Sequence, residues 1–430
     1  PLLLTAIILL AVSCRTGSRA ALQVPDGVSV TTAAPDILNV TLTTAFHAQP
    51  HDSSSTAESE NWELSGTAVT AVHVTARSYD ELPKQPDGSY PLSMQYTYHL
   101  QLRDPLVEGH RYRLRTPFGD MDFRFSATET VCDSIKVNQV GYHPENSERF
   151  AVLGVYLGTG GARKFGAPPG YRVVHAETEE ILHMGTALYA GDDSAVSEDE
   201  VTSGEHVYHL DLGPVPEGGP YVVVIDGFGR SLPFSIGYAA VNTIFSTYMQ
   251  GLYYQRCGME FPVDSLLPGQ AACHTGIYDT RVPWSPGGFF EPAGTEQLLH
   301  VTGGYHDAGD FDRRPQHVII PILLLSCYEA FPDHFFDGQL PIAEAGNGLP
   351  DLLDEALWGL SFWEAMQITD DRDEKLGAVR AGTETARHPE YGVHTSATDP
   401  YLYGTWDTDP ETTAFSAGML AQAARLLQPF

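Results

Sequence analysis

The spacing of apolar residues changes near residue 239, and this change limits the fold of the chain more than any other feature. Before it, short runs alternate apolar and polar residues, as in ILNVTL at 37–42 and MQYTYHLQL at 94–102. Alternation with period two is typical of strands with one buried face, and turn residues separate the runs. After residue 239, apolar residues recur at helical spacing. The sequence therefore predicts β domains followed by a helical domain.

The β part of the chain divides into two predicted domains. Residues 22–130 predict an antiparallel sandwich whose role the sequence leaves open. Residues 131–238 contain further strand-like runs, at 134–142, 150–153, 205–210, 221–226 and 231–236. About a hundred residues of short strands is the size of one immunoglobulin-like domain. We therefore expect a multidomain fold class, with two all-β, immunoglobulin-like sandwiches ahead of an all-α domain at 239–430.

Helical runs are predicted at 239–255, 318–331, 351–367 and 411–427. The first should bury the stripe of Ile244, Tyr248 and Leu252. The second is apolar nearly all round, which predicts burial on both sides and a packing role for Cys327. The third begins after Pro350, a residue suited to a first helical turn. Its apolar residues should point inward: Leu353, Leu357, Leu360 and Trp363.

Residues 1–21 form an apolar segment that is too short to span a bilayer and predicts a secretory signal. Two processing routes stay open, namely ordinary cleavage after Ala20 and Ala21 and lipoprotein processing with a lipid anchor on Cys14. Either route predicts an exported protein, which is extracellular, periplasmic or held at the outer surface. No later stretch is long and apolar enough for a membrane helix. The net charge of −31 argues against nucleic acid or an anionic membrane as partner, since both need basic surfaces.

Residues 303–313, GGYHDAGDFDR, crowd three carboxylates into one glycine-rich turn. Neighbouring carboxylates raise one another's pKa, which is unfavourable in a structural loop but useful where a water must be deprotonated. The alternatives are a solvated acidic turn and a calcium loop, and the calcium loop fits poorly because its closing glutamate is absent. For the rest of the chain, the sequence gives no pattern from which calcium binding can be predicted. We expect Asp307 and Asp310 to act on a water, Asp312 to be structural and Arg313 to be a candidate cation that keeps the pair ionised.

A second constellation combines Cys257, Cys273, His274 and His306. Two thiols and two imidazoles are the ligand set of a closed tetrahedral zinc site. A Cys257–Cys273 disulfide is the alternative in an exported protein. The adjacent Cys273 and His274 favour a metal.

The turn resembles the signature of glycoside hydrolase family 9, the inverting cellulases built on an (α/α)6 barrel. Three further segments are similar to the same family, in the same order. They are IKVNQVGY at 135–142, YYQRCG at 253–258 and NGLPDLLDEA at 347–356. The first resembles the opening of the immunoglobulin-like domain that precedes one branch of the family. The resemblance covers residues 133–430 and leaves 22–130 unexplained.

The resemblance implies hydrolysis of β-1,4-glucan by single displacement. Asp310 would be the general base and Asp307 its partner in holding the water. Zinc would lie at the four Cys and His positions and would fix the turn. The general acid of the family is a glutamate near the end of the barrel, and no segment here matches its motif. We therefore expect residues 239–430 to be the N-terminal part of the barrel, with the acid outside the chain.

Aromatic residues in the loops of this domain suit a polysaccharide cleft, because sugar C–H faces stack on rings. The substrate-binding candidates are Trp284, Phe290, Tyr401 and Trp406. Two rival functions stay open. One is an exo-acting hydrolase on cello- or glucosamine oligosaccharides, and the other is an inert carbohydrate-binding surface protein.

Overall fold

The computed structural model describes residues 27–43, 56–81, 92–193, 202–262, 269, 271–307, 311–389 and 394–430. It divides into two compact units, Pro1–Val241 and Asn242–Phe430. The predicted signal segment with Cys14 lies outside the described residues, and so does the predicted base Asp310. No helix in the described part of the chain is long and apolar enough to cross a membrane.

The N-terminal part of the first unit is built from antiparallel strands. They are β1 (Val28–Ala34), β2 (Ile37–Thr43), β3 (Glu63–Leu64), β4 (Val69–Glu81), β5 (Leu92–Leu102), β6 (Arg111–Thr116) and β7 (Gly119–Arg124). One sheet has the order β1-β2-β5-β4 and a smaller one the order β3-β6-β7. Alternate residues Leu38, Val40 and Leu42 of β2 enter the core, which confirms the period-two prediction.

The rest of this unit is a pair of facing sheets. Its strands are β8 (Ile135–Lys136), β9 (Phe150–Leu153), β10 (Gly170–His175), β11 (Ile181–Thr186), β12 (Leu188–Asp193), β13 (Glu205–Asp211), β14 (Gly218–Ile225), β15 (Gly229–Arg230) and β16 (Phe234–Ile236). One sheet has the order β11-β10-β14-β15 with β16 also on β14, and the other has the order β12-β13-β9-β8. Leu153, Val173, Leu210 and Val223 lie in the shared core and are fully buried.

The two β regions are joined closely within the unit. Thr32 forms a parallel bridge with Cys132, and Arg163 pairs with Asp36 at 2.7 Å. Gly158 has a φ of +59°, and a Cβ at this position would lie 2.0 Å from the Val74 carbonyl oxygen. Only glycine allows such an approach, so the contact between the regions depends on this residue.

The second unit is organised around helices. They are α1 (Tyr238–Tyr254), which begins just before the unit, α2 (Ile319–Ala330), α3 (Asp351–Ala365) and α4 (Pro410–Leu426). The predicted starts of α3 and α4 are confirmed within one residue. Asp409 caps α4 by accepting hydrogen bonds from the amides of Glu411 and Thr412. Leu353, Leu360 and Trp363 of α3 are buried as expected.

The predicted stripe on α1 is confirmed only in part, since Leu252 packs against the core but Tyr248 does not. Tyr248 is 77% exposed, whereas Met249 and Tyr253 are buried against Phe261 and Leu352. The packed face is therefore turned by one residue from the expected one. Tyrosine has a polar hydroxyl as well as an apolar ring, so its place in an apolar pattern does not fix its burial.

The prediction that α2 is buried on both sides is wrong. Pro321 and Leu325 are buried, but Leu323 is 60% exposed and Cys327 is exposed rather than packed. The helix packs on α3 and α4 through one side. An apolar sequence alone does not tell how many neighbours a helix has.

Strands within the second unit correct the expectation of an all-α domain. They are β17 (Gly276–Val282), β18 (Leu298–His300), β19 (Thr383–Glu384) and β20 (Gly404–Trp406), in the sheet order β18-β17-β20-β19. Strands this short, separated by loops, show no clear period in the sequence, and backbone pairing across more than a hundred residues leaves no local signal.

Candidate functional site

The four predicted metal ligands come together in the second unit. One donor atom from each of Cys257, Cys273, His274 and His306 lies within 4.8 Å of all the others. The Cys273 sulfur lies 3.3 Å from His306 Nε2, and the Cys257 sulfur lies 3.9 Å from His274 Nδ1. Two sulfurs and two nitrogens at these separations suit a tetrahedral ion. Neither Cys257 nor Cys273 is in a disulfide, so the disulfide alternative is not formed.

Backbone pairing fixes two of these ligands against each other. The Cys257 amide donates to the Gly304 carbonyl at 3.0 Å, and the His306 amide donates to the Gln255 carbonyl at 2.9 Å. Cys257 follows the end of α1, so this pairing ties the acidic turn to that helix end. His274 has a φ of +47°, a left-handed conformation that is uncommon for a residue with a side chain. Such strain is found where surrounding structure dictates the direction of a side chain.

Charged groups surround the cluster. His274 Nε2 lies 3.1 Å from Asp399 Oδ2, the arrangement in which a carboxylate orients a ligating histidine. Arg313 is buried and donates to the Cys257 sulfur at 2.8 Å and to the His274 carbonyl at 2.7 Å. The guanidinium thus places a positive charge beside the sulfur of Cys257, a predicted ligand.

The pKa shifts in the cluster follow from burial and from these contacts. Burial raises the pKa of the Cys257 thiol and lowers the pKa of His306. Hydrogen bonding with Cys257, and then with the two histidines, lowers the pKa of Cys273. Burial alone would lower the pKa of His274, but its contacts with Asp399 and Cys273 raise it. One cysteine that favours the thiolate, one buried thiol and two imidazoles supply the sulfur and nitrogen donors that a soft divalent cation takes.

The acidic turn begins with two glycines in left-handed conformations. Gly303 has a φ of +88°, and a Cβ there would lie 2.1 Å from the Ser361 hydroxyl and 2.7 Å from the Trp358 carbonyl oxygen. Gly304 has a φ of +74° and packs on Phe362 of α3. Glycine is required here because the turn lies directly against the helix backbone. The first residues of the turn, Gly303 and Gly304, are therefore held closely against α3.

Asp307 has a half-exposed carboxylate between two basic side chains. One oxygen lies 3.3 Å from His317 Nε2, and the other lies 3.5 Å from Arg314 Nε. Burial lowers the pKa of His317, so the ring is largely neutral near pH 7. The carboxylate thus has a fixed orientation and a cation beside it, with its remaining surface open. Its position relative to Asp310 stays a prediction, because Asp310 lies outside the described residues.

For Asp307, the neighbouring cation is Arg314 rather than the predicted Arg313. Arg314, not Arg313, contacts the carboxylates of Asp307 and Asp312, and it also pairs with Glu384 at 2.8 Å. Successive side chains of this extended segment point to opposite sides, so Arg313 contacts Cys257 of the Cys and His cluster instead. Asp312 is 1% exposed, in agreement with the structural role predicted for it.

A buried ion pair lies beside the cluster. Arg256 and Glu355 are both fully buried, and the guanidinium donates to both carboxylate oxygens, at 3.1 and 3.0 Å. Arg256 also contacts Glu344 at 2.8 Å, and the Tyr305 hydroxyl donates to Glu355 at 2.9 Å. Arg256 precedes the predicted ligand Cys257, and Tyr305 precedes the predicted ligand His306. This network therefore holds the two backbone segments that present those ligands.

The four aromatic candidates do not line one surface. Trp284 is 42% exposed and lines a mainly apolar cavity of about 440 Å³ with Phe415. Tyr401 lies elsewhere, in a cavity of about 340 Å³ beside Cys273. Phe290 packs edge-on against Trp406, with ring centroids 4.8 Å apart.

Trp406 is only 2% exposed, which corrects its prediction as a substrate-binding residue. It lies in β20, and its strand pairs with β17 and β19. An aromatic residue in a loop-rich segment can equally fill the core between such strands.

Sequence reasoning missed Arg314, His317, Glu384 and Asp399. Arg314 and His317 follow the turn closely, but no pattern separates them from surface residues. Asp399 reaches His274 across 125 residues, and only the fold brings them together.

Comparisons with known proteins match both parts of the chain. Residues 130–230 match the family described as the cellulase N-terminal ig-like domain, and residues 242–430 match glycosyl hydrolase family 9. Endoglucanase D of Acetivibrio thermocellus is 25% identical over 299 residues, which are 69% of this chain and 42% of that protein. A xyloglucan-specific endo-beta-1,4-glucanase of Bacteroides ovatus is 30% identical over 242 residues, or 56% of this chain and 37% of that protein.

A solved structure agrees with these matches. A metagenome-derived glycoside hydrolase family 9 endoglucanase is 33% identical, with a TM-score of 0.56 over 69% of this chain and 50% of that one. The chain spans less than half the length of the two curated relatives. With both family matches in order along the sequence, the chain belongs to glycosyl hydrolase family 9, in the branch with an N-terminal immunoglobulin-like domain.

Proposed function

We propose that the protein is an inverting hydrolase of β-1,4-glucan, with Asp310 as general base and Asp307 as its partner in holding the water. The match of residues 242–430 to family 9 carries this proposal. The names of the relatives, an endoglucanase and a xyloglucan-specific endo-β-1,4-glucanase, favour internal cleavage of such a chain. The general acid would be a glutamate outside residues 1–430.

The surroundings of Asp307 suit the water-holding role. An inverting enzyme places a base and an acid about 6.5–9.5 Å apart, so that a water fits beside the base. Asp307 keeps an accessible carboxylate, while Arg314 and His317 fix its direction. Arg314 also places a positive charge beside the Asp307 carboxylate, which offsets part of the repulsion among the acidic side chains of the turn.

The test is hydrolysis of carboxymethylcellulose and xyloglucan by the full-length protein. Asp310→Ala should lower kcat by about 10²–10⁴-fold and Asp307→Asn should also lower it, since each removes part of the proton-abstracting pair. Asp370→Asn, an exposed carboxylate paired with Arg372, is the matched control and should keep full activity. Full activity in Asp310→Ala would disprove the assignment of the base.

Product analysis separates the remaining alternatives. Release of mixed long oligosaccharides supports internal cleavage, whereas release of one short product supports the exo-acting reading. An initial α-anomer in the product NMR spectrum supports inversion, and an initial β-anomer refutes it. Absence of hydrolysis with retained glycan binding would support the inert binding protein.

We also propose that the cluster of Cys257, Cys273, His274 and His306 holds a structural zinc ion. A four-coordinate ion with no open position would link the α1 end to the acidic turn. The convergence of the four donor atoms supports this, and Asp399 supplies an outer carboxylate for His274. Elemental analysis should find about one zinc per chain. Cys273→Ser should lose it, whereas Cys327→Ser, at an exposed thiol outside the cluster, should keep it. Zinc retained in Cys273→Ser would contradict the assignment.

Trp284 is the aromatic candidate best placed for substrate. Its ring and that of Phe415 are partly exposed around one cavity, beside the carboxylates of Asp409 and Glu411. An apolar ring beside hydrogen-bonding groups suits a sugar, which has both kinds of surface.

We propose export through the segment at 1–21. Mass spectrometry of the mature N-terminus distinguishes its two processing routes. A lipid on Cys14 that is lost in Cys14→Ser supports the anchor, and a free N-terminus after residue 20 or 21 refutes it.

A further inference from the structure

A polar cavity of about 670 Å³ lies within the first unit, between the β1-β2-β5-β4 sheet and the immunoglobulin-like region. The sheet forms its floor, and the segments around Asp133, Tyr156 and Glu205 form its walls. Its volume lies in the range of small-molecule sites, about 300–1,000 Å³. The close contact at Gly158 and the Arg163–Asp36 ion pair hold the two regions that enclose it.

The floor is one face of the sheet, and its residues come from alternate positions of neighbouring strands. Asn39 and Thr41 of β2 lie next to Thr97 and His99 of β5, while the residues between them enter the apolar core. Period two therefore gives this sheet one apolar and one hydrogen-bonding face. Amide, hydroxyl and imidazole groups supply both donors and acceptors there.

A hydrogen-bond network fixes the floor. Asn39 is 2% exposed, and its amide donates to Asp133 at 2.8 Å. Its carbonyl oxygen lies 2.8 Å from His99 Nδ1, and His99 Nε2 lies 3.1 Å from the Thr75 hydroxyl. Burial, and then the neighbouring His73, lower the pKa of His99 to about 4, so the ring is uncharged near pH 7. The polar groups are thus oriented before a ligand arrives, which reduces the entropic cost of binding.

The charges that line the cavity balance. Lys136 pairs with Glu205, Asp133 accepts from Asn39, and the Arg77 guanidinium donates to Gln95 at 2.8 Å. Two cationic and two anionic side chains leave no net charge to attract an ion. The ring of Tyr156 is 45% exposed and lines the same cavity, so it offers an apolar face beside the polar floor.

We propose that this cavity is a binding site for a neutral, polyhydroxylated ligand, a segment of a glycan chain, which lies on Thr41, Gln95 and Thr97, above the buried Asn39–His99 pair, and stacks on Tyr156. Hydroxyl groups both donate and accept, which matches a floor of hydroxyl and amide groups. The C–H faces of a sugar ring match the exposed face of Tyr156. The site would bind a glycan without cleaving it, since it is distinct from the acidic turn of the second unit.

The cavity proposal rests on the proposed function in one respect, which is the choice of β-1,4-glucan as the first probe. Cellohexaose and xyloglucan oligosaccharides are titrated calorimetrically into the full-length protein, at a temperature where hydrolysis during the titration is negligible. Oligogalacturonate is the anionic comparison, and chitosan oligomers are the cationic one. Tyr156→Ala and Gln95→Ala remove parts of the cavity. Tyr189→Ala, at a partly exposed tyrosine of the same region outside the cavity, is the matched control.

We expect saturable binding of a neutral glycan that is about tenfold weaker in Tyr156→Ala and in Gln95→Ala, and unchanged in Tyr189→Ala. Thermal unfolding of each variant is measured as the control that the variant is folded. Binding unchanged in both cavity variants would overturn the proposal, as would a preference for a charged oligosaccharide. Hydrolysis is measured separately, so that the glycan-binding cavity and the proposed hydrolase function are tested independently. Cavity variants that lose glycan binding but still cleave a short soluble substrate support both hypotheses. A protein that binds through Tyr156 without any cleavage would refute the proposed function and support this site.

Discussion

Replacing Arg256 by methionine should lower the free energy of unfolding of the second unit by about 3–5 kcal/mol. The guanidinium is fully buried and donates to both oxygens of Glu355, which is also fully buried. Methionine keeps much of the apolar contact that Arg256 makes with the rings of Tyr253 and Trp358. The main loss is therefore the charge, which leaves a carboxylate in the interior.

The size of the effect follows from what Glu355 keeps. After the substitution, the Tyr305 hydroxyl at 2.9 Å is the partner that it retains among the contacts described above. Burial raises the pKa of Glu355, and Arg256 opposes this in the wild type. Without the arginine, the folded-state pKa rises further above the unfolded one. The variant should therefore regain stability as pH falls through that raised pKa.

Denaturation in guanidinium chloride, followed by tryptophan fluorescence, measures the change. Four of the five tryptophans lie in residues 242–430, so the signal reports mainly on the second unit. The double variant Arg256→Met/Glu355→Gln should recover about 1–2 kcal/mol, because no fully buried charge is left unpaired, and the carboxylate of Glu344, the other partner of Arg256, is 30% exposed to water. Arg372→Met, at an exposed ion pair, is the control and should unfold like the wild type.

Two results would refute this reasoning. One is a single variant that unfolds at the wild-type denaturant concentration. The other is a double variant that is no more stable than the single one, since the cost would then lie in packing and not in the stranded charge.

Three further predictions concern other sites. Gly303→Ala should destabilise by at least about 2 kcal/mol, since its Cβ would lie 2.7 Å from a helix carbonyl oxygen. Gly338 also has a positive φ, of +80°, but open space surrounds it. Denaturation of Gly338→Ala should therefore show a smaller loss of unfolding free energy than that of Gly303→Ala. Burial raises the pKa of Asp354 to about 6, so the free energy of unfolding should fall as pH rises from about 4 to 6. Asp354→Asn should flatten that slope, and an unchanged slope would refute the assignment. Trp284→Ala should raise KM for a soluble glucan several-fold with kcat little changed, whereas Trp406→Ala should lower the melting temperature; the reverse pattern would exchange their roles.

Local patterns predicted much of the fold. Alternating and other strand-like runs located β2, β5, β9, β13 and β14, and the Pro350 start and inward leucines located α3. These features depend on residues close in sequence, so the sequence shows them directly. Burial was predicted less well, as Tyr248 and Cys327 show, because it depends on which neighbours a helix has.

The sequence by itself determined the family, through the ordered motifs at 135–142, 253–258, 303–312 and 347–356, and it identified the four metal-ligand candidates. Only the tertiary structure decided that their donor atoms meet within 4.8 Å. It also decided that Arg314 faces Asp307 while Arg313 faces Cys257. The physical reason is that ion pairs and ligand sets form across tens to more than a hundred residues, as between His274 and Asp399. A local pattern fixes the chemistry of each group, and only the folded chain fixes the distances between them.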